Sequence, residues 1–127
     1  MKAEKKNEPE DLKRRTKAFA LRVIRLYSAL PKTTEAQVIG KQLLHSATSL
    51  GSHFREATRG RSNAKFISKL EGGLQELEES AYWVELLTDA GIISKKRLED
   101  LATEADELIA IFVTCVKNVR SRKRNGK

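Results

Sequence analysis

Apolar residues recur every three or four positions along nearly all of this sequence, and few helix-breaking residues interrupt them. Proline occurs only at Pro9 and Pro31. A spacing of three and four places apolar residues on one face of an α-helix. The pattern predicts four helices, at about 10–30, 34–58, 62–90 and 94–121.

Each predicted helix carries a seam, a row of apolar or small residues that we expect to face the core. The four seams are Leu12, Thr16, Phe19, Val23, Leu26 and Leu30; Ala36, Gly40, Leu43, Ala47, Leu50, Phe54 and Ala57; Phe66, Leu70, Gly73, Leu77, Ser80, Val84 and Leu87; and Leu98, Leu101, Ala105, Leu108, Phe112, Cys115 and Val119. Short connections between long helices make neighbouring helices antiparallel. The sequence therefore predicts an all-α fold, an antiparallel up-down-up-down four-helix bundle that forms one domain over residues 1–127 with charged terminal tails.

Residues between the helices favour helix starts. Thr34 followed by Gln37 has the spacing of a capping box, in which each side chain satisfies a backbone N–H group. Ser62 and Ser94 are suited to capping the third and fourth helices.

Glycines mark the predicted helix ends and one helix interior. Gly60 and Gly91 are suited to the left-handed backbone that closes many helices. Gly72 and Gly73 fall within the third helix, where each glycine costs roughly 1 kcal/mol relative to alanine. We therefore expect a partner helix to cross close to Gly73.

The chain is basic, and the predicted topology concentrates its positive charge. It has 25 Lys and Arg against 17 Asp and Glu, a formal net charge of +8. The start of the first helix, the turn between the second and third helices and the end of the fourth helix carry most of these cations and lie at one end of the bundle. Most of the acidic residues fall between positions 71 and 107.

This basic end is the candidate nucleic-acid site, because a cluster of cations attracts phosphates in a salt-dependent way. The candidate binding residues are Lys13, Arg14, Arg15, Arg55, Arg59, Arg61, Lys65, Lys117, Arg120, Arg122, Lys123 and Arg124. Without a recognisable recognition helix, such a site would contact the backbone or shape of RNA or DNA more than its bases. The alternative is that the charged chain ends are solvated and serve only solubility.

No set of residues in the sequence has the spacing of a catalytic or metal site. His45 and His53 are eight residues apart and turned about 80° from each other on a helix, so they do not converge on one metal. Cys115 lies on a seam, which predicts a buried thiol rather than a nucleophile. We therefore expect no enzyme activity, catalytic residue, cofactor or metal.

Apolar composition and cysteine content predict where the chain resides. No apolar run approaches the roughly 18 residues of a membrane span, so no membrane association is expected. A lone Cys suits a reducing compartment. We expect a cytoplasmic protein.

Aromatic residues remain outside the third seam. Tyr82 and Leu86 point nearly opposite it, and Trp83 flanks them, which favours an oligomer interface. The alternative is a broad core with a few exposed rings. A second function also stays open: a protein-interaction adaptor without a nucleic-acid role, which would bind a protein through its acidic end and the Trp83 region.

A resemblance to a known family rests on the second and third helices. It is carried by Ala47-Thr48-Ser49-Leu50-Gly51-Ser52-His53-Phe54-Arg55-Glu56-Ala57, by Phe66-Ile67-Ser68-Lys69-Leu70, by Glu76 and Glu79, and by Tyr82-Trp83-Val84-Glu85-Leu86-Leu87. Over roughly residues 12–119 the chain resembles the bacterial four-helix-bundle proteins related to the product of intervening sequences in 23S ribosomal RNA genes. Gly72-Gly73 and His53-Phe54 depart from the residues usual at those places.

The resemblance implies a ring-shaped homo-oligomer, with a pentamer as the expected assembly, and no known catalytic residue. It also implies a distant similarity to the accessory variability determinant of diversity-generating retroelements, a basic pentameric bundle that binds nucleic acid and a reverse transcriptase. The partners that this implies are further copies of the chain, RNA or DNA, and a reverse transcriptase or ribosome-related partner.

Overall fold

The computed structural model describes residues 8–124, and every regular element among them is an α-helix. The helices are α1 (Glu8–Ser28), α2 (Thr34–Thr58), α3 (Asn63–Asp89) and α4 (Lys95–Arg124). They confirm the predicted all-α class and lie within a few residues of the predicted bounds. The charged tails fall partly outside the described residues.

Helices that follow one another in the chain pack against one another, as short connections require. The first and last helices make the fewest close backbone approaches of the packed pairs. They are joined instead by side chains, chiefly through Arg15 of α1 and Glu104 of α4. The helix packing is that of a bundle in which the α1–α4 side is the least tightly closed.

The core consists mainly of the predicted seams. Phe19, Leu50 and Phe112 are completely buried, and the Phe54 ring packs against the Phe112 ring in a tilted arrangement with centroids 5.8 Å apart. Two serines also lie in the core: the hydroxyls of Ser46 in α2 and Ser80 in α3 are 2.8 Å apart. Because each hydroxyl has a partner, these polar groups are buried without an unsatisfied hydrogen bond.

Three seam residues are only partly buried, so the seam prediction is wrong at these positions. Leu26 is half-buried beside the core, and Ile67 and Val116 are buried where Phe66 and Cys115 were expected. In α4 the physical reason is the helical repeat. A strict seven-residue pattern drifts by about 20° per heptad on a straight helix, so the next residue in the chain takes the inward position.

The start of α2 differs from the predicted capping box. Thr33 is the N-cap, and its side chain accepts a hydrogen bond from the backbone N–H of Ala36. A capping box on Thr33 would need a Glu or Gln at position 36, which is Ala. The Gln37 side chain instead donates to the Pro31 carbonyl and accepts from the Tyr27 hydroxyl, at 2.9 Å each, so it fixes the α1–α2 turn.

Among the other predicted caps, the one at Gly60 is wrong, and those at Gly91, Ser62 and Ser94 are confirmed. Gly60 is not left-handed, because within residues 8–124 only Gly91 has a positive φ, of 73°. Gly91 and Ile92 donate backbone hydrogen bonds to the carbonyls of Thr88 and Leu87, which is the Schellman pattern. Ser62 and Ser94 accept from the backbone N–H groups three residues later, as predicted.

Two glycines are explained by close packing. A Cβ added at Gly60 would lie 3.2 Å from the Lys65 Cβ, so this residue lets α2 turn tightly into α3. A Cβ at Gly73 would lie 3.0 Å from the Phe112 ring of α4. The close helix approach that was predicted at Gly73 is therefore present.

Candidate nucleic-acid interface

The antiparallel packing gathers three basic segments at one end of the bundle, which we call the basic end: the start of α1, the α2–α3 turn and the end of α4. Residues from all three segments line a single open cleft of about 640 Å³. The lining residues are Pro9, Ala57, Thr58, Gly60, Arg61, Ser62, Asn63, Phe66, Val119 and Arg122. The three segments therefore form one surface.

Six of the predicted binding residues are exposed and make no ion pair with another described side chain. They are Arg55, Arg59, Arg61, Lys65, Lys117 and Arg122. Arg61 and Arg122 line the cleft itself, and Arg59 caps the end of α2 beside it. These side chains can reach an incoming anion without first breaking a salt bridge.

Three more predicted binding residues are exposed or partly exposed but already paired. Lys13 lies 3.3 Å from Glu10, and Arg14 is bonded to Asp11, each pair being one turn apart on α1. Arg120 of α4 lies 2.6 Å from Glu71 of α3. Exposed pairs of this kind contribute at most about 1 kcal/mol, so a phosphate can compete for the cation.

Arg15 differs from the other predicted binding residues because its guanidinium is held between helices. It donates to both carboxylate oxygens of Glu104, at 2.8 and 3.0 Å, and to Glu107 at 2.9 Å. The hydrogen bond to Glu104 is the main cause that raises the pKa of Arg15 above its already high ordinary value. Two carboxylates offset its charge, so Arg15 joins α1 to α4 and is poorly placed to bind an anion.

Lys123 and Arg124 belong to α4, but their side chains lie outside the described residues. Close to the cleft, Glu56 of α2 lies 3.0 Å from Lys69 of α3. This hydrogen bond, together with the charge of Lys69, lowers the pKa of Glu56. Glu56 therefore stays ionised and offsets the charge of Lys69.

The candidate oligomer interface lies on α3, away from the basic end. Tyr82 is 51% exposed, Trp83 and Leu86 are half-buried, and the Tyr82 and Trp83 rings pack with centroids 5.1 Å apart. The Trp83 indole N–H is buried and has no hydrogen-bond partner among the described residues. The three residues lie together on one side of α3.

His53 occupies a position that the sequence pattern did not predict. Its ring packs on the backbone of α3, since a Cβ added at Gly72 would lie 2.9 Å from the imidazole. Its Nε2 is 3.7 Å from a carboxylate oxygen of Glu76, whereas His45 is exposed. Among residues 8–124 no three His, Cys, Asp or Glu side chains form a group suited to hold a metal.

The cleft includes one aromatic residue that the sequence analysis assigned to the core, Phe66. It is half-buried and also lines a smaller apolar pocket of about 90 Å³ together with Pro9, Leu12, Phe54, Thr58 and Cys115. The adjacent pair Phe66 and Ile67 was the available signal, because neighbours on a helix point about 100° apart and only one of them can lie at the centre of the buried face.

Within the part of the chain that the structure describes, none of the helices combines the length and the apolar character that crossing a bilayer requires.

Comparisons with known proteins agree with the resemblance seen in the sequence. The family model described as 23S rRNA-intervening sequence protein matches residues 10–114. A crystal structure from Bacteroides thetaiotaomicron, of a protein with unknown function from the S23 ribosomal protein family, has 33% sequence identity and a TM-score of 0.80. The match covers 86% of this chain and 97% of that one. No curated protein matches the chain. The chain belongs to the family of 23S rRNA-intervening sequence proteins.

Proposed function

We propose that this protein is a non-enzymatic, cytoplasmic binding protein that holds the phosphates of RNA or DNA at its basic end. One observation carries the proposal: six cations of α2, the α2–α3 turn, α3 and α4 are exposed and have no ion-pair partner among the described side chains. A solvated tail would place its cations in one sequence segment, whereas Arg61 and Arg122, which are far apart in the chain, line one cleft.

The chemistry of the surface favours phosphate contact. Arg61 and Arg122 line the cleft, and Arg59 and Lys65 lie in the same turn region, so several phosphates of one strand can be contacted together. Arginine can bind a phosphate through two parallel hydrogen bonds, and lysine supplies a point charge. Such contacts release counterions, so binding would weaken as salt increases.

The direct test is a fluorescence anisotropy titration with labelled RNA and DNA oligonucleotides. If about six phosphates are neutralised, affinity falls roughly 10³-fold between about 50 and 200 mM salt. A lack of binding at low salt contradicts the proposal. Binding that does not respond to salt contradicts it as well, because phosphate contact requires counterion release.

The location of the site is tested by charge reversal. Arg59→Glu with Arg61→Glu should weaken binding about tenfold or more, because two phosphate contacts become repulsive. Lys96→Glu with Arg97→Glu makes the same change in net charge at the exposed start of α4, at the other end of the bundle. If both double variants lose affinity equally, net charge alone controls binding and the basic end is not the site.

We also propose that the protein self-associates through Tyr82, Trp83 and Leu86, in a ring such as the pentamer that the family resemblance implies. Half of the Tyr82 surface is exposed to solvent although the ring packs on Trp83, which favours a further apolar partner. Subunits that share one polarity would repeat the basic end around the ring and increase avidity for nucleic acid.

Light scattering tests the assembly. We expect a mass several times the 14.3 kDa of one chain and a smaller mass for Trp83→Ala. Val38→Ala is the matched control, because Val38 is an exposed apolar residue on α2, outside the candidate interface. A 14.3 kDa particle for the unmodified chain at micromolar concentration would exclude self-association.

A second candidate function, the protein-interaction adaptor, is favoured by a cleft of about 370 Å³ at the opposite end of the bundle. It lies between the end of α3 and the start of α4 and combines the apolar side chains of Val84 and Leu98 with the carboxylates of Glu85, Asp89 and Glu99. This surface suits a basic amphipathic segment of another protein. Asp89→Asn with Glu99→Gln should abolish such binding and leave nucleic-acid affinity intact.

A further inference from the structure

The cleft at the basic end is more than a charged surface, because its lining also includes the aromatic residue Phe66 and the apolar residues Pro9, Ala57 and Val119. The open cleft of about 640 Å³ and the apolar pocket of about 90 Å³ share Pro9, Thr58 and Phe66. The two cavities are therefore adjacent, and the Phe66 side chain lies at their common boundary. Two cations, Arg61 and Arg122, line the open cleft, whereas the smaller pocket is lined largely by apolar groups.

Phe66 is held at this boundary by its neighbours. Ile67 takes the buried position on α3, 8% exposed, and leaves Phe66 half-buried. Phe54 lines the apolar pocket with it and packs against the buried ring of Phe112. Phe66 therefore packs against the core and also lines the open cleft.

A cation pair beside an aromatic ring fits an unpaired nucleotide. Proteins that bind single strands combine a basic groove that follows the backbone with aromatic side chains on which bases stack. The volume of the cleft lies in the range of about 300–1,000 Å³ typical of ligand sites. In a duplex the faces of internal bases are covered by neighbouring base pairs, so only an unpaired base can enter.

We propose that the cleft holds an unpaired base of RNA or DNA against Phe66, with Arg61 and Arg122 on the flanking phosphates. This inference rests on the proposed function and specifies its substrate: single-stranded regions, loops or ends rather than uninterrupted duplex. Stacking tolerates any base, since every base has a flat aromatic face, so the site selects the unpaired state without selecting sequence.

The ligand side of the test requires no change in the protein. Anisotropy titrations compare a single strand with a covalently closed circular duplex, which has neither ends nor unpaired loops, and repeat the comparison for RNA and DNA. We expect the single strand to bind about tenfold or more tightly at equal salt. Replacing successive nucleotides with abasic ones should weaken single-strand binding about fivefold or more, because stacked bases contribute strongly to such affinities.

The protein side uses two substitutions at one position. Phe66→Leu keeps an apolar side chain but removes the ring, and should weaken single-strand binding about fivefold or more without affecting duplex binding. Phe66→Tyr keeps the ring and should bind as the unmodified protein does. Circular dichroism of both variants shows whether the helices are retained. If Phe66→Leu fails to fold, the abasic titration of the unmodified protein still tests whether a base is bound.

The outcomes separate this inference from the proposed function. Equal, salt-sensitive binding of single strand and closed duplex, with no abasic effect, overturns the base site and leaves phosphate binding in place. An absence of binding to every oligonucleotide overturns both. Weakening by abasic nucleotides together with equal affinities of Phe66→Leu and Phe66→Tyr would place the base elsewhere and overturn the role of Phe66. A difference in affinity between single-stranded RNA and single-stranded DNA identifies which of the two is the preferred ligand.

Discussion

At the scale of single residues, the basic end contains cations with different roles. Arg61 and Arg122 line the cleft and make no ion pair with another described side chain, whereas Arg15 is fixed by Glu104 and Glu107. The sequence alone does not distinguish them, because a guanidinium has the same charge in both settings. The difference depends on carboxylates that lie about ninety positions away in the chain.

Substitution of Arg15 should therefore affect stability rather than binding. We expect Arg15→Gln to lower the free energy of unfolding by about 1–3 kcal/mol, because hydrogen bonds to two carboxylates are lost at a partly buried position. Arg14→Gln removes only an exposed pair within α1 and should cost less than about 0.5 kcal/mol. Urea unfolding of both variants measures the difference.

The affinity of the Arg15→Gln variant for nucleic acid is the second measurement. At a salt concentration where both proteins are fully folded, we expect Arg15→Gln to bind within about twofold of the unmodified chain. A loss as large as that of the Arg59 and Arg61 double variant would show that Arg15 contacts phosphate and that its carboxylate partners release it.

At the scale of the helices, two glycines in helix interiors, Gly73 of α3 and Gly51 of α2, should respond in opposite ways to substitution by alanine. Gly73→Ala should destabilise the protein by about 1–2 kcal/mol, because the new methyl group meets the buried Phe112 ring at 3.0 Å. Gly51→Ala should stabilise it by about 0.5–1 kcal/mol, because its methyl would contact only Thr16 at an ordinary 3.7 Å and the helix backbone loses less entropy on folding.

Thermal or urea unfolding of the two variants checks this pair. A gain in stability at both positions would show that helix propensity, which favours both substitutions, outweighs local space. A loss at both would show that position 51 also lacks room for a methyl group. The unmodified chain and both variants have the same net charge, so electrostatics does not complicate the comparison.

The helices themselves could be predicted because their signals are local. The seam of α2 is buried as predicted from Ala36 to Ala57, and Ser62, Ser94 and Gly91 are the caps that their sequence context indicates. The single-residue error at Thr34 has a tertiary cause, since Gln37 bonds to Tyr27 and to the Pro31 carbonyl in the turn.

The candidate site could be predicted only as a region. The topology brings the basic segments to one end, because antiparallel helices alternate in direction. The ion pair of Arg120 with Glu71 depends on the packing of α4 against α3, which no local pattern specifies. The cleft was therefore outside the reach of the sequence analysis.

At the scale of the whole molecule, the uneven distribution of charge should make stability depend on salt. The net charge is +8, and the exposed cations of the basic end repel one another more in the folded chain than in the extended one. We expect the melting temperature to rise as salt increases from about 20 to 300 mM, because screening weakens this repulsion.

The Arg59→Glu and Arg61→Glu double variant is the control for that effect. It removes like charges from the basic end, so its melting temperature should rise less with salt than that of the unmodified chain. The Lys96→Glu and Arg97→Glu variant, altered at the other end, should keep most of the original salt response. Equal responses of the two variants would attribute the effect to net charge alone.

α1 and α4 are joined by side chains more than by close backbone approach. The bundle should therefore open first between these two helices. Release of Arg15 from its two carboxylates would let α1 swing out with α2 still holding it, and the buried rings of Phe19 and Phe112 would meet water. Hydrogen exchange should accordingly be faster in α1 than in α2 and α3.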